Sequence, residues 1–119
     1  MKVVDMHCDT ISEILYDRKK ECPEGTCLRK NKLHIDLEKM KRGDYLLQNF
    51  ALFVDLKKRE NPFEWCMELA DTFYGEMEKN SDLIAPVRNY EEIVRNGEAG
   101  KMSAMLTIEE GGVCKKNPA

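Results

Sequence analysis

No stretch of this chain approaches the ~18 consecutive apolar residues that a membrane-spanning helix requires. A phosphate loop, a Gly-x-Gly-x-x-Gly fingerprint and a Gly-x-Ser-x-Gly nucleophile elbow are all missing. Excess charge of one sign is missing too. Nineteen basic against 22 acidic residues leave a formal charge of −3, which gives no electrostatic footprint for nucleic acid. There are no repeats, low-complexity tracts or linkers. Histidine is scarce, with only His7 and His34. Cysteine is present in an odd number, five. Cys22 and Cys27 lie in a Pro/Gly-containing loop, and no second Cys/His pair follows to complete a zinc knuckle. Free thiols are the expectation, with a Cys22–Cys27 disulfide as the alternative under oxidant. Met1 to Asp5 runs straight into the first motif and leaves no room for a signal peptide, so a cytoplasmic location is expected.

What is there fits one globular domain: 119 residues, 42% hydrophobic and 34% charged. Val3 to His7 reads as a short buried strand, and Ile11 to Lys20 as a short helix. Glu21 to Asn31 is a loop. Asp36 caps a helix over Leu37 to Lys41 that Gly43 stops. Tyr45 to Asp55 is the strongest strand, near-continuously apolar, as in a parallel sheet covered on both faces. Asn61-Pro62 opens a helix with Asn61 as N-cap. Phe63, Cys66, Met67, Ala70, Phe73, Tyr74 and Met77 form its core-facing stripe. A further helix spans Asn89 to Asn96, with Gly97 expected as a left-handed C-cap. Lys101 to Ile108 returns as a strand. Strands alternating with helices imply right-handed crossovers and a parallel sheet.

Two motifs carry the chemistry: Asp5-Met6-His7-Cys8-Asp9-Thr10 and Thr107-Ile108-Glu109-Glu110-Gly111-Gly112. Each follows an apolar, β-like run. Alternate residues of a strand share a face, so His7 and Asp9 point the same way. Imidazole nitrogen and carboxylate oxygen are both ligands for a zinc-like ion. A glutamate at the end of the later strand can reach the same rim, where α/β barrels keep their active sites. Glu110 is the favoured residue and Glu109 the fallback, since Glu109, one position earlier, is expected to point away. Gly111 and Gly112 let the backbone turn sharply there. His34, in Leu33-His34-Ile35-Asp36, shares the His-x-Asp spacing but lacks a strand before it. Cys8, between the two candidate ligands, reads as a small buried residue and not as a nucleophile.

These motifs resemble the membrane (renal) dipeptidase family, zinc peptidases of the amidohydrolase superfamily. Asp5 to Thr10 looks like its first-strand motif. Leu37 to Gly43 with Gln48 to Val54 is similar to its second-strand region, and Ser103 to Gly112 to its third. The resemblance implies a TIM (β/α)₈ barrel with two zinc ions that hydrolyses dipeptides by metal-activated water. It implies His7 and Asp9 as ligands of the first zinc and Glu110 as a bridging ligand in the reaction centre.

The expected fold is therefore α/β: the first three β/α units of such a barrel, a truncated parallel sheet. Residues 1–119 would be the N-terminal part of a single barrel domain, since such a barrel takes ~200 residues or more. The family's later histidines, its substrate-binding arginine and its last-strand acidic residue would lie beyond Ala119. The isolated fragment is then expected to be inactive. An exposed parallel edge invites a homo-oligomer. The alternatives are a non-catalytic oligomer or weak metal binder, and an amidohydrolase acting on another amide.

Overall fold

The computed structural model of the protein describes residues 1–20 and 26–114. Cys22, with its expected disulfide alternative, lies outside the described residues. The elements run β1 (Val3–Asp5), α1 (Thr10–Lys19), α2 (Leu37–Arg42), β2 (Tyr45–Leu52), α3 (Pro62–Lys79), β3 (Ile84–Pro86), α4 (Tyr90–Glu98) and β4 (Met102–Ile108). A single 3₁₀ turn, Gly111–Cys114, follows β4. The strands form one parallel sheet in the order β1-β2-β4-β3.

The apolar run that predicts β2 sits at the centre of this sheet. Its burial is near-complete from Leu47 to Leu52, because β1 and β4 flank it. β4 pairs with β2 from Leu47↔Ser103 to Leu52↔Ile108. The α/β parallel architecture is as expected, with three differences. β3 was not anticipated, because three residues ending in Pro86 carry no readable period. It is held by its pairing with β4 and by hydrogen bonds from Met102 N to Leu83 O and from Val87 N to Ala104 O. β1 ends at Asp5 and not at His7, although Cys8 N donates to Asn49 O and Ala51 N to Cys8 O. The first motif thus stays tied to β2 beyond the regular strand. β2 itself ends at Leu52, short of Asp55.

The core lies between the sheet and the helices. Phe50, Leu52 and Val54 from β2 and its extension meet Ile11, Ile14, Leu69, Phe73, Met102 and Ala104. The rings of Phe50 and Phe73 are tilted with centroids 5.7 Å apart. α3 does face the core, but its buried stripe is Cys66, Leu69, Thr72, Phe73, Glu76 and Met77. Phe63, Met67 and Tyr74, expected inside, are exposed. The stripe is rotated because a polar residue, Glu76, is buried with its own partners. Arg18 of α1 pairs with one of its carboxylate oxygens, while Leu28 N and Asn80 Nδ2 donate to the other.

The helix ends also differ in part. Asp36 caps α2 by accepting from Lys39 N at 2.8 Å, and Asn89 caps α4 by accepting from Glu92 N at 2.9 Å. Asn61 occupies the N-cap place of α3 but makes no side-chain cap. Gly97 lies inside α4, and the left-handed residue is Gly100 (φ 76°), which carries the chain into β4. After α2 that role falls to Asp44 (φ 59°). Its carboxylate, held by the Lys2 ammonium, sits below the usual carboxylate range.

Candidate metal centre

β1 delivers His7 and Asp9 to the C-terminal rim of the sheet, and β4 delivers Glu109. Cys8 is buried in the core, so its neighbours on either side turn outward together. His7 Nε2 lies 3.2 Å from Asp9 Oδ1 and 3.8 Å from Glu109 Oε2. One ligand atom from each of the three residues lies within 4.8 Å of the others. All three are exposed, and the imidazole is the only partner the two carboxylates share.

Asp9 stands at the N-cap position of α1 but makes no cap with its side chain. Its charge still gains from the positive end of the helix, and its oxygens stay free for His7 or a cation. The backbone ahead of it is pinned by Asp5, whose Oδ1 accepts from His7 N at 3.1 Å. Burial pushes the Cys8 thiol up, which keeps it protonated at neutral pH and removes it as a nucleophile.

The glutamates exchange the places expected for them. Met102 and Ala104 of β4 pack in the core, so the odd positions face the other side. Thr107 follows that alternation and donates from Oγ1 to Asn49 Oδ1 at 3.0 Å. Glu109 N still donates to Leu52 O, so the alternation persists for one residue past the strand and carries the Glu109 side chain to His7. Glu110 comes where the chain turns. Its Oε1 accepts from Gly112 N at 2.8 Å. A Cβ on Gly112 would fall 2.6 Å from Leu56 Cδ1 and 3.0 Å from Glu110 Oε1, so a side chain here would displace the ends of those two side chains. The alternation that buries Met102 and Ala104 is what brings Glu109 beside His7.

His34 does not join the three-residue group. It lines, with Lys32, a cleft of about 630 Å³ that also takes in His7, Asp9 and Glu13. A second cleft of about 510 Å³ borders Asp9 from the side of Phe53 and Trp65.

The family model described as membrane dipeptidase (peptidase family M19) matches residues 1–119. The chain belongs to that family. A crystal structure described as dipeptidase AC, a metallopeptidase, is similar to it, with a TM-score of 0.80 and 18% identity over 95% of this chain. At that identity the likeness speaks for the fold. The chain spans 36% of the length of that dipeptidase. No match was found among curated proteins.

The donor set suits a metal. One imidazole nitrogen and two carboxylate oxygens are the ligand types of catalytic zinc sites with an open position. Among the described residues no lysine or arginine forms a salt bridge with Asp9 or Glu109 that would compete with a cation.

Proposed function

We propose that this chain carries the metal-binding rim of a zinc-dependent dipeptidase. The observation that supports this reading best is the convergence of His7 Nε2, Asp9 Oδ1 and Glu109 Oε2 at the ends of separate elements of the sheet. His7 and Asp9 are the ligands in this reading. The third place goes to the glutamate pair: Glu109 by its position beside His7, Glu110 by its place in the motif. To bind through Nε2, His7 must carry its ring proton on Nδ1. Asp9 contributes negative charge that α1 stabilises. In this reading the glutamate that is not a ligand is the candidate acceptor of a proton from the attacking water, and Glu110 would have to leave its hydrogen bond with Gly112 N to serve. Zinc, when bound, would supply Lewis acidity toward the scissile carbonyl and that water. Three protein donors cannot close two four-coordinate shells, so the isolated chain is read as inactive unless further donors reach the site. The site of action is proposed to be cytoplasmic.

A homo-oligomer through the edge strand β1 is part of the proposal, because Val4 of that strand and Met6 just after it are exposed. Sedimentation of the purified chain tests it, and a monomer at all concentrations would discard it.

The central test is zinc competition against a metal indicator, run beside dipeptide hydrolysis, for the parent chain, Glu109→Gln and Glu110→Gln. The variant that loses zinc names the ligand. Where association of chains supplies the missing donors and the parent turns over, loss of turnover in the other variant names the base. Zinc binding unaffected by His7→Ala would sink the reading.

A further inference from the structure

We propose that Arg59 is a specificity residue that holds a carboxylate of the substrate in the cleft between the first turn of α1 and the segment joining β2 to α3. The proposal rests on the dipeptidase reading and adds to it a substrate class, dipeptides recognised through an anionic group. Three observations carry it. The cleft, about 510 Å³, has Asp9 in one wall, so a molecule filling it borders the candidate metal centre. Arg59 and Trp65 line it too, with the guanidinium carbon 3.7 Å from the centroid of the Trp65 ring. Stacking of this kind fixes the plane of the guanidinium and leaves its in-plane N–H donors free. Such an edge matches a carboxylate bidentately.

Arg59 is also a cation without an answering anion. It is half-buried and forms no salt bridge among the described residues, although acidic residues surround it. Asp55, the acidic residue of this cleft nearest to Arg59 in sequence, is engaged by Lys58 Nζ at 3.9 Å and by Lys57 N at 3.0 Å. Ser12 of α1 lines the same wall. Tyr16 and Phe53 add aromatic surface for the body of such a ligand, and Glu13 and Lys58 complete the lining.

Trp65 is the only tryptophan of the chain, so its emission reports on this cleft directly. The zinc-supplemented chain is titrated with alanyl-glutamate, alanyl-glutamine and alanyl-glutamate amidated at its α-carboxyl, with equilibrium dialysis as a second readout. The expected result is saturable binding of alanyl-glutamate that Arg59→Met weakens by about tenfold or more. Arg59→Lys should restore only part of it, since an ammonium cannot make the fork. A matching loss with alanyl-glutamine assigns Arg59 to the side-chain carboxylate, and a matching loss with the α-amide assigns it to the terminal one. Equal binding of all three dipeptides, or of the parent and Arg59→Met, would overturn the proposal. Zinc affinity, read separately with the indicator, should not change in either Arg59 variant. A chain that binds zinc but shows no Arg59-dependent binding keeps the dipeptidase reading and loses this one. A chain that binds alanyl-glutamate through Arg59 but takes no zinc does the reverse.

Discussion

Asp36 and Glu76, packed among the helices, are 1% exposed, whereas Asp9 and Glu109, at the rim of the sheet, have side chains 57% and 47% exposed. The buried pair is answered on every side. Asp36 accepts from Asn31 N and Lys39 N and lies 3.5 Å from Lys39 Nζ. Glu76 is held by Arg18, Leu28 N and Asn80. The rim pair has only an imidazole between its two members. A carboxylate taken out of water must be satisfied where it stands, or folding fails. One left in water can remain unsatisfied and available. The contrast separates acidic residues that hold this fold together from those placed to meet a ligand.

The comparison breaks most readily at the rim. Spreading about 10–16 kcal/mol of structural zinc affinity over four ligands gives about 3 kcal/mol each, so His7→Ala should weaken zinc by about 100-fold. The same variant should leave urea stability within about 0.5 kcal/mol of the parent, since His7 is exposed. A large stability loss would show that the rim group is structural after all.

On the buried side, Arg18→Met leaves Glu76 charged among the helices. The expected cost is about 2–3 kcal/mol by urea unfolding, at or below the low end for buried pairs because Arg18 is 33% exposed. Arg18→Met with Glu76→Met should recover part of it. If the single variant unfolds no earlier than the parent, the buried pair is not what holds α1 to α3.

Asp36→Ala comes next, at about 2 kcal/mol, for a lost cap and an abandoned N–H of Asn31. Burial pushes the Asp36 carboxyl up, but the N–H groups of Asn31 and Lys39 and the Lys39 ammonium outweigh this and hold it below the usual range. A lowered folded pKa means stability that is full above the ordinary carboxylate value, about 4, and is lost as the pH falls below it. The gap between parent and Asp36→Ala should therefore be constant near neutrality and close in acid. A gap that widens in acid would reverse the sign.

The smallest effect is expected at Gly112→Ala, about 1 kcal/mol, because the clashing atoms belong to the side chains of Leu56 and Glu110, which can move. Thermal unfolding measures it. A much larger loss would mean that the turn after β4 is more rigid than its contacts imply.

Much of the fold was legible. The apolar run of β2, the strand over β4 and the caps Asp36 and Asn89 all rest on local chemistry, and the structure agrees with each. The rotated face of α3 was not legible, because a buried glutamate reads as a surface residue until its partner Arg18, 58 positions away, is placed against it. β3 was too short to announce itself. At the rim, the spacing of His7 and Asp9 was readable. The doubled glutamate was not, since motif and alternation point to different members of it.

By itself the sequence determined that this is a parallel α/β chain of the dipeptidase family, with a His-x-Asp at one strand end and a glutamate pair at another. Those properties live in side-chain periods and short motifs, which need no partner from afar. Only the tertiary structure decided that Glu109 faces His7, that Glu76 is buried, and that Arg59 stacks on Trp65 beside Asp9. Each of these depends on where a crossover or loop returns the chain, and local periodicity carries no information about that.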